Sequence, residues 1–221
     1  MRVAIVGGTG KLGSALAVRW ARAGHAIFIG SRDAGKAAAH AATLVTLQPG
    51  RIEGMDYAAA ARAVDVVVLA VPYEAHGETL RAIREPMGAG KVVVDTTVPL
   101  RPPKVSRVQL PAGQSAALEA QAILGADTAV AAALHHVSAA HLADPSHPVD
   151  CDVLVASDDA RAMTTTMGLI GDLGLRALDA GPLVNAIALE SLTPVLIHLN
   201  RVYRSRGAGI VFTNLPTPSL R

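Results

Sequence analysis

The stretch Arg2 to Gly13, RVAIVGGTGKLG, constrains this chain more than any other part of it. Arg2 to Val6 is a short apolar, β-branched run of the kind that makes a fully buried parallel strand. It leads directly into Gly8, Gly10 and Gly13 at the G-x-G-x-x-G spacing. In that setting Gly8 allows the tight turn, Gly10 lets a pyrophosphate approach the backbone, and Gly13 lets the next helix pack against the strand. An amphipathic helix, Leu12 to Ala23, follows, closed by Gly24, and then a second apolar strand, Ala26 to Ile29. The complete strand, turn, helix and strand set the glycines apart from a merely structural turn. They predict a diphosphate on the free N–H groups at the positive end of the first helix.

The remaining chain continues the alternation. Helices are expected at Ala34 to Leu47, Tyr57 to Ala63, Glu74 to Arg84, Ser115 to Leu124 and Asp158 to Leu173. Strands are expected at 51–55, 65–71, 91–95, 129–134, 150–157 and 176–179, with a turn at Gln48-Pro49-Gly50. Apolar strands alternating with helices mean a sheet covered on both faces. The fold class is therefore α/β, a doubly wound, mostly parallel Rossmann sheet with extra C-terminal strands and a small helical C-terminal domain. We divide it as residues 1–181 and 182–221. Leu100 to Gln114, rich in proline and basic residues, reads as a long loop, a type that is usually functional or mobile. The last helix runs from Ile187 onward with Pro194 inside it, and Ile210-Val211-Phe212 suggests a final strand before a loose tail.

Composition removes several classes of function. The net charge is +2, dispersed along the chain, and with two Phe, three Tyr and one Trp there are few stacking platforms, which argues against nucleic acid. Cys151 is the only cysteine, so there is no intrachain disulfide and no Cys/His spacing for zinc, and a reducing cytoplasm fits. The N-terminus is a core strand rather than a signal peptide, and no apolar run reaches the roughly 18 residues of a membrane helix. No metal site is expected.

The end of the second strand selects the dinucleotide. Where NAD-specific enzymes place a carboxylate against the ribose 2′-hydroxyl, this chain has Gly30-Ser31-Arg32. A hydroxyl and a guanidinium suit a 2′-phosphate, because a planar fork of donors pairs with a dianion. Thr9 and Lys36 complete such a cradle. Asp33 is a counter-signal, since it also accepts from a ribose hydroxyl. Among groups suited to acid/base chemistry, His135 and His136 stand where the sixth strand ends, at the cleft of a doubly wound sheet. One of a consecutive pair must point inward, and His135 is read as a ligand contact. His136, His141 and His147 read as structural, and nothing around His25, His40, His76 and His198 argues for chemistry. Asp95-Thr96-Thr97 either touches the cofactor or caps its strand, and Asp158-Asp159 reads as a helix N-cap pair.

With these motifs in view, the chain resembles the NADPH-dependent F420 reductases, also called F420H2:NADP oxidoreductases. The resemblance rests on VGGTGKLG, on GSR with Lys36, on AVPYEA at 70–75 and LHHVSAAHL at 134–142. It continues through DCDVLVASDD at 150–159, LDAGPLVNA at 178–186 and LESLTPVLIHLNRVY at 189–203. It implies hydride transfer between C4 of the nicotinamide of NADP(H) and C5 of the deazaflavin coenzyme F420, with no catalytic side chain required. It also implies that Gly8, Thr9, Gly10, Lys11, Leu12, Gly13, Ser31, Arg32 and Lys36 hold NADP, with Val71, Pro72, Tyr73, Gly77 and Ala139 along the dinucleotide. His135, His136, Val137 and Ser138 then face F420, and the C-terminal part closes that pocket and helps form a homodimer. The chain departs from the family in having His136 where Asn is common, Lys11 where Asn is frequent, and Ala156-Ser157 for a Cys-Gly pair. Two other readings stand beside this one: an NADPH-dependent reductase of a small imine or carbonyl, needing a proton donor such as His135 or His136, and a non-catalytic NADPH-binding module.

Overall fold

A computed structural model of the chain describes residues 1–45, 52–88, 90–144 and 148–215. The expected turn at 48–50, the end of the second helix, His147 and the tail beyond Leu215 lie outside the described residues. The strands are β1 (Arg2–Val6), β2 (Ala26–Ser31), β3 (Ile52–Asp56), β4 (Val66–Leu69), β5 (Val92–Asp95), β6 (Ala129–Ala133), β7 (Asp152–Ser157) and β8 (Arg176–Asp179). They form one sheet in the order β3-β2-β1-β4-β5-β6-β7-β8. The helices are α1 (Lys11–Arg22), α2 (Ala34–Val45), α3 (Tyr57–Arg62), α4 (Tyr73–Met87), α5 (Ala116–Leu124), α6 (Ala139–Ala143), α7 (Ala160–Gly171) and α8 (Ala186–Val202).

The two faces of the sheet follow from the period of two along each strand. Val3 and Ile5 of β1 join one core with Leu16, Trp20 and Ile27, while Ala4 and Val6 join another with Leu69, Leu80 and Ile83. Both layers are closed, so β4 and β5 are buried along their whole length, as their uninterrupted apolar runs require.

Among the described residues only β6 and β7 pair antiparallel. The chain leaves β6 through the left-handed Leu134 and the short α6 and re-enters the sheet beside the same strand in the reverse direction, with Ala131 opposite Ser157 and Ala133 opposite Val155. Asp159 caps α7 by accepting from the Ala162 N–H at 2.7 Å, and Asp158 accepts from the Leu183 N–H at 3.0 Å, so one carboxylate of the pair caps its own helix and the other ties the turn before α8.

Ile210 to Phe212 is a correction to the sequence reading: the segment is extended but forms no strand. The Asp152 N–H donates to the Ile210 carbonyl at 2.8 Å, and the Phe212 N–H donates to the Asp152 carboxylate at 2.6 Å. That side chain takes the N–H a ladder would have used, and pairing stops there.

The segment Leu183–Val202, a short 3-10 turn plus α8, is long and apolar enough to cross a membrane by length and composition alone, contrary to the expectation of no such run. Its Leu183, Ala186 and Leu189 complete the second core, and the same helix buries Glu190. This packing seats one face of it against the sheet and α5, and the other face, with Val184, Val195 and Val202, is exposed.

Candidate functional site

β1, β4, β5 and β6 run parallel, so their C-terminal ends open on one edge. The chain leaves β1 toward β2 on one side and reaches β4 on the other, and a crevice forms where the directions diverge. A cleft of about 530 Å³ lies there. Gly10, Lys11 and Leu12 border one side of it, and Val71, Pro72 and Tyr73 the turn after β4. Ala70 and Glu74 flank that turn, and Thr96, Thr97 and Val98 after β5, Leu100, Pro102 and Val105 of the long loop, and Leu134, His135, Val137 and Ala139 after β6 complete the lining.

The glycine turn is built by close approach. Gly7, not Gly8, carries the left-handed conformation, with φ +84°, and a Cβ there would stand 2.5 Å from the Ala70 carbonyl oxygen. At Gly8 a Cβ would meet the Ile5 oxygen at 2.8 Å, and at Gly13 the Gly8 Cα at 2.6 Å. At Gly10 the nearest protein atom is 3.3 Å away. The packing of the protein itself accounts for the first three glycines, whereas Gly10 leaves open backbone at the cleft. Gly10 is also the N-cap of α1, with no side-chain cap and no acidic residue in the first turn. Those N–H groups fit an anionic diphosphate.

At the end of β2 the Asp33 carboxylate accepts from the Lys36 N–H at 3.0 Å, and its carbonyl accepts from the Ala37 N–H. Asp33 is thus engaged as the cap of α2. Arg32 and Lys36 are exposed, and among the described residues neither meets an acidic side chain in an ion pair. Ser31 is half-buried beside them, and Thr9 is exposed on the rim of an adjoining groove between α1 and α6.

The consecutive histidines point in different directions. Leu134, buried, has φ +67°, a left-handed conformation costing on the order of 1–2 kcal/mol for a non-glycine residue. This turn takes the chain off β6 and places His135 in the cleft wall. His135 is 5% exposed and neither ring nitrogen has a partner. Burial pushes its pKa down to about 4, so the ring is neutral and offers one donor and one acceptor. His136 faces away, its Nε2 donating to the Asp152 carbonyl at 2.9 Å. Ser138 caps α6, accepting from the His141 N–H. Gly77 faces α5, with Ile123 nearby. Of the residues expected at F420, the structure brings His135 and Val137 to the cleft, while His136 and Ser138 lie outside its lining, as does Gly77, which was expected along the dinucleotide.

Three arrangements were not predicted, two buried behind the wall and one at the cleft mouth. His76 and Asp95 pair at 2.7 Å, both essentially inaccessible, and Asp95 also accepts from the Thr97 N–H at 2.9 Å. Burial works against a charged His76, but the Asp95 carboxylate outweighs it and the pKa is raised. Of the two readings of Asp95-Thr96-Thr97, Asp95 is held structurally and the threonines reach the cleft. Glu190 of α8 accepts from the Ala116 and Ala117 N–H groups at 2.8 and 3.0 Å, capping α5 from 73 or more positions away. Burial pushes its pKa up to about 8 against the pull of those two amides. Tyr73 donates to Glu119 at 3.0 Å, Glu119 accepts from the Gly113 N–H at 3.1 Å, and the Arg101 guanidinium lies 5.7 Å from the Tyr73 ring centre. The signals for these contacts were present only as residue types; their partners are distant in the chain.

Comparison with known proteins agrees with this geometry. The family described as NADP oxidoreductase, coenzyme F420-dependent, matches residues 2–99. The F420-dependent NADP reductase of Methanothermobacter thermautotrophicus is 42% identical, covering 98% of this chain and 96% of that protein. The protein of the same name from Methanocaldococcus jannaschii is 39% identical, covering 97% of this chain and 99% of its own length. The crystal structure of a putative F420-dependent NADP reductase from Arthrobacter sp. FB24 superimposes with a TM-score of 0.81 at 26% identity, over 96% of this chain and 99% of that one. With identity at this level along nearly its whole length, the chain belongs to the family of F420-dependent NADP oxidoreductases.

Proposed function

We propose that the cleft at the ends of β1, β4, β5 and β6 is where this oxidoreductase brings NADP(H) and F420 together. The observation that carries the reading is the pairing of an open, uncapped α1 start at Gly10 with a neutral, unpartnered His135 on the opposite wall. When bound, the nicotinamide and the deazaflavin supply both ends of a hydride transfer. The N–H groups of α1 hold the diphosphate, and Arg32, Lys36, Ser31 and Thr9 hold the 2′-phosphate, Asp33 being occupied in capping α2. Leu12, Val71, Leu100, Val105, Leu134 and Val137 exclude water from the ring region. His135 gives the ring facing it one hydrogen bond and holds its orientation, while His136 supports the turn from behind through Asp152.

The groups around the cleft favour a deazaflavin acceptor over an imine or carbonyl: both take a hydride and a proton, but the reduced deazaflavin spreads its charge over the ring and can take its proton from solvent, whereas an imine or carbonyl needs a donor at the reacting atom. His135 is neutral, the Tyr73 hydroxyl is committed to Glu119, and the His76–Asp95 pair is sealed behind the wall. We place the enzyme in the cytoplasm as a homodimer, with residues 182–221 closing the F420 side. The exposed Val195, Val202 and Tyr203 on and just after α8 support that association.

The test is loss of the visible absorbance of oxidised F420 on mixing with the protein and NADPH, with NADH in parallel. Loss with NADPH and little with NADH is the expected result. NADPH binding without loss of absorbance would overturn the reading.

A further inference from the structure

The loop after β5 has two characters. Leu100, Pro102 and Val105 line the cleft, whereas Arg101, Lys104 and Arg107 are exposed. The exposed three recur at every third residue on successive turns: the Lys104 N–H donates to the Arg101 carbonyl and the Arg107 N–H to the Lys104 carbonyl, both at 3.2 Å. The Gln109 side-chain amide donates to the Arg101 and Lys104 carbonyls at 3.4 and 3.0 Å, pinning both turns. The segment is therefore a preorganised frame rather than a slack connection. Its row of cations begins at the mouth of the cleft, where Arg101 lies over Tyr73. Among the described residues no carboxylate forms an ion pair with any of the three, and the exposed Glu74 at the same mouth is not paired with them.

Three unpaired cations on a fixed frame beside an apolar cleft call for an anion. The anions of NADP are accounted for elsewhere. The diphosphate fits the start of α1, and the 2′-phosphate fits Arg32 and Lys36 at the end of β2. In the sheet β2 stands three strand positions from β5, roughly 14 Å at about 4.8 Å per strand. The second hydride carrier is also anionic, because beyond its deazaflavin ring F420 bears a phosphodiester and glutamyl carboxylates. A ring seated against His135 and Val137 must send that chain outward, since the one cation in the lining, Lys11, stands at the glycine turn on the dinucleotide side and the wall around His135 is apolar.

We propose that Arg101, Lys104 and Arg107 form a rail for the phosphate and carboxylates of the F420 side chain. This rests on F420 being the second substrate. The cleft then governs reactivity toward the ring, and the loop governs affinity through charge.

The decisive comparison is between F420 and its ring-plus-ribityl precursor, which lacks phosphate and glutamates, as acceptors for the full-length enzyme with NADPH. In Lys104→Glu/Arg107→Glu the KM for F420 rises about tenfold or more, while the KM for the tail-less acceptor and for NADPH stay within about twofold. The neutral Lys104→Gln/Arg107→Gln pair gives an intermediate rise. Added salt raises the F420 KM of the unaltered enzyme more steeply than that of either variant. An unchanged F420 KM, or an equal loss on both acceptors, would overturn the rail while leaving the F420 reading standing. Reduction of neither acceptor by the unaltered enzyme would remove both.

Discussion

The Thr193 hydroxyl donates a 2.7 Å hydrogen bond to the backbone carbonyl of His135. Through it α8 grips the turn after β6 at the residue that faces the cleft. Thr193→Val removes the donor and leaves that carbonyl without this partner. A net hydrogen bond of this kind contributes about 1 kcal/mol. The expected result is a several-fold rise in the KM for F420 with the KM for NADPH unchanged, and Thr193→Ser restores it. Steady-state kinetics with each substrate varied in turn checks this, and equal changes for both substrates would refute it.

Gly7 and Gly10 should separate stability from binding. Gly7→Ala forces a side chain into a left-handed conformation 2.5 Å from the Ala70 oxygen, so the melting temperature should drop by several degrees or more. Gly10→Ala meets the protein only at 3.3 Å and should leave the melting temperature within a few degrees, yet weaken NADPH at least tenfold. Thermal denaturation and NADPH titration on both variants decide it.

Arg32→Ala tests cofactor choice. A charge-assisted hydrogen bond to phosphate is worth about 1.5–3 kcal/mol, so NADPH binding should weaken roughly 10- to 100-fold while NADH changes little. Equal weakening of both cofactors would mean that Arg32 does not read the 2′-phosphate.

Stability should respond to pH from two buried groups with opposite signs. Burial holds the folded pKa of His135 at about 4, below the usual 6.5, so the unfolded chain binds the extra proton between those values. Its contribution is complete above pH 6.5 and is lost as pH falls through 4, by about 3 kcal/mol. Glu190 is raised to about 8 from 4.5, so its contribution is complete below pH 4.5 and is lost as pH rises through 8. Urea unfolding from pH 4 to 9 should show the acid-side loss shrink in His135→Asn and the alkaline-side loss shrink in Glu190→Gln. Unaltered slopes in both variants would count against these assignments.

What the sequence by itself determined is the part of the protein written in local chain geometry. The apolar run of β1, the glycine turn and α1 are prescribed by side-chain periodicity and by backbone conformations that only glycine permits. Ser31-Arg32 with Lys36 follows in the same way, as the next turn along. Only the tertiary structure decided which histidine enters the cleft. His135 and His136 are chemically identical, and the choice depends on the left-handed Leu134 and on an Asp152 carbonyl sixteen positions from His136. The same holds for the His76–Asp95 pair, for Glu190 at the start of α5, and for the reversal of β7 beside β6. Each of these joins residues far apart in the chain, through contacts set by strand order and helix packing, and that arrangement leaves no periodic trace along the chain.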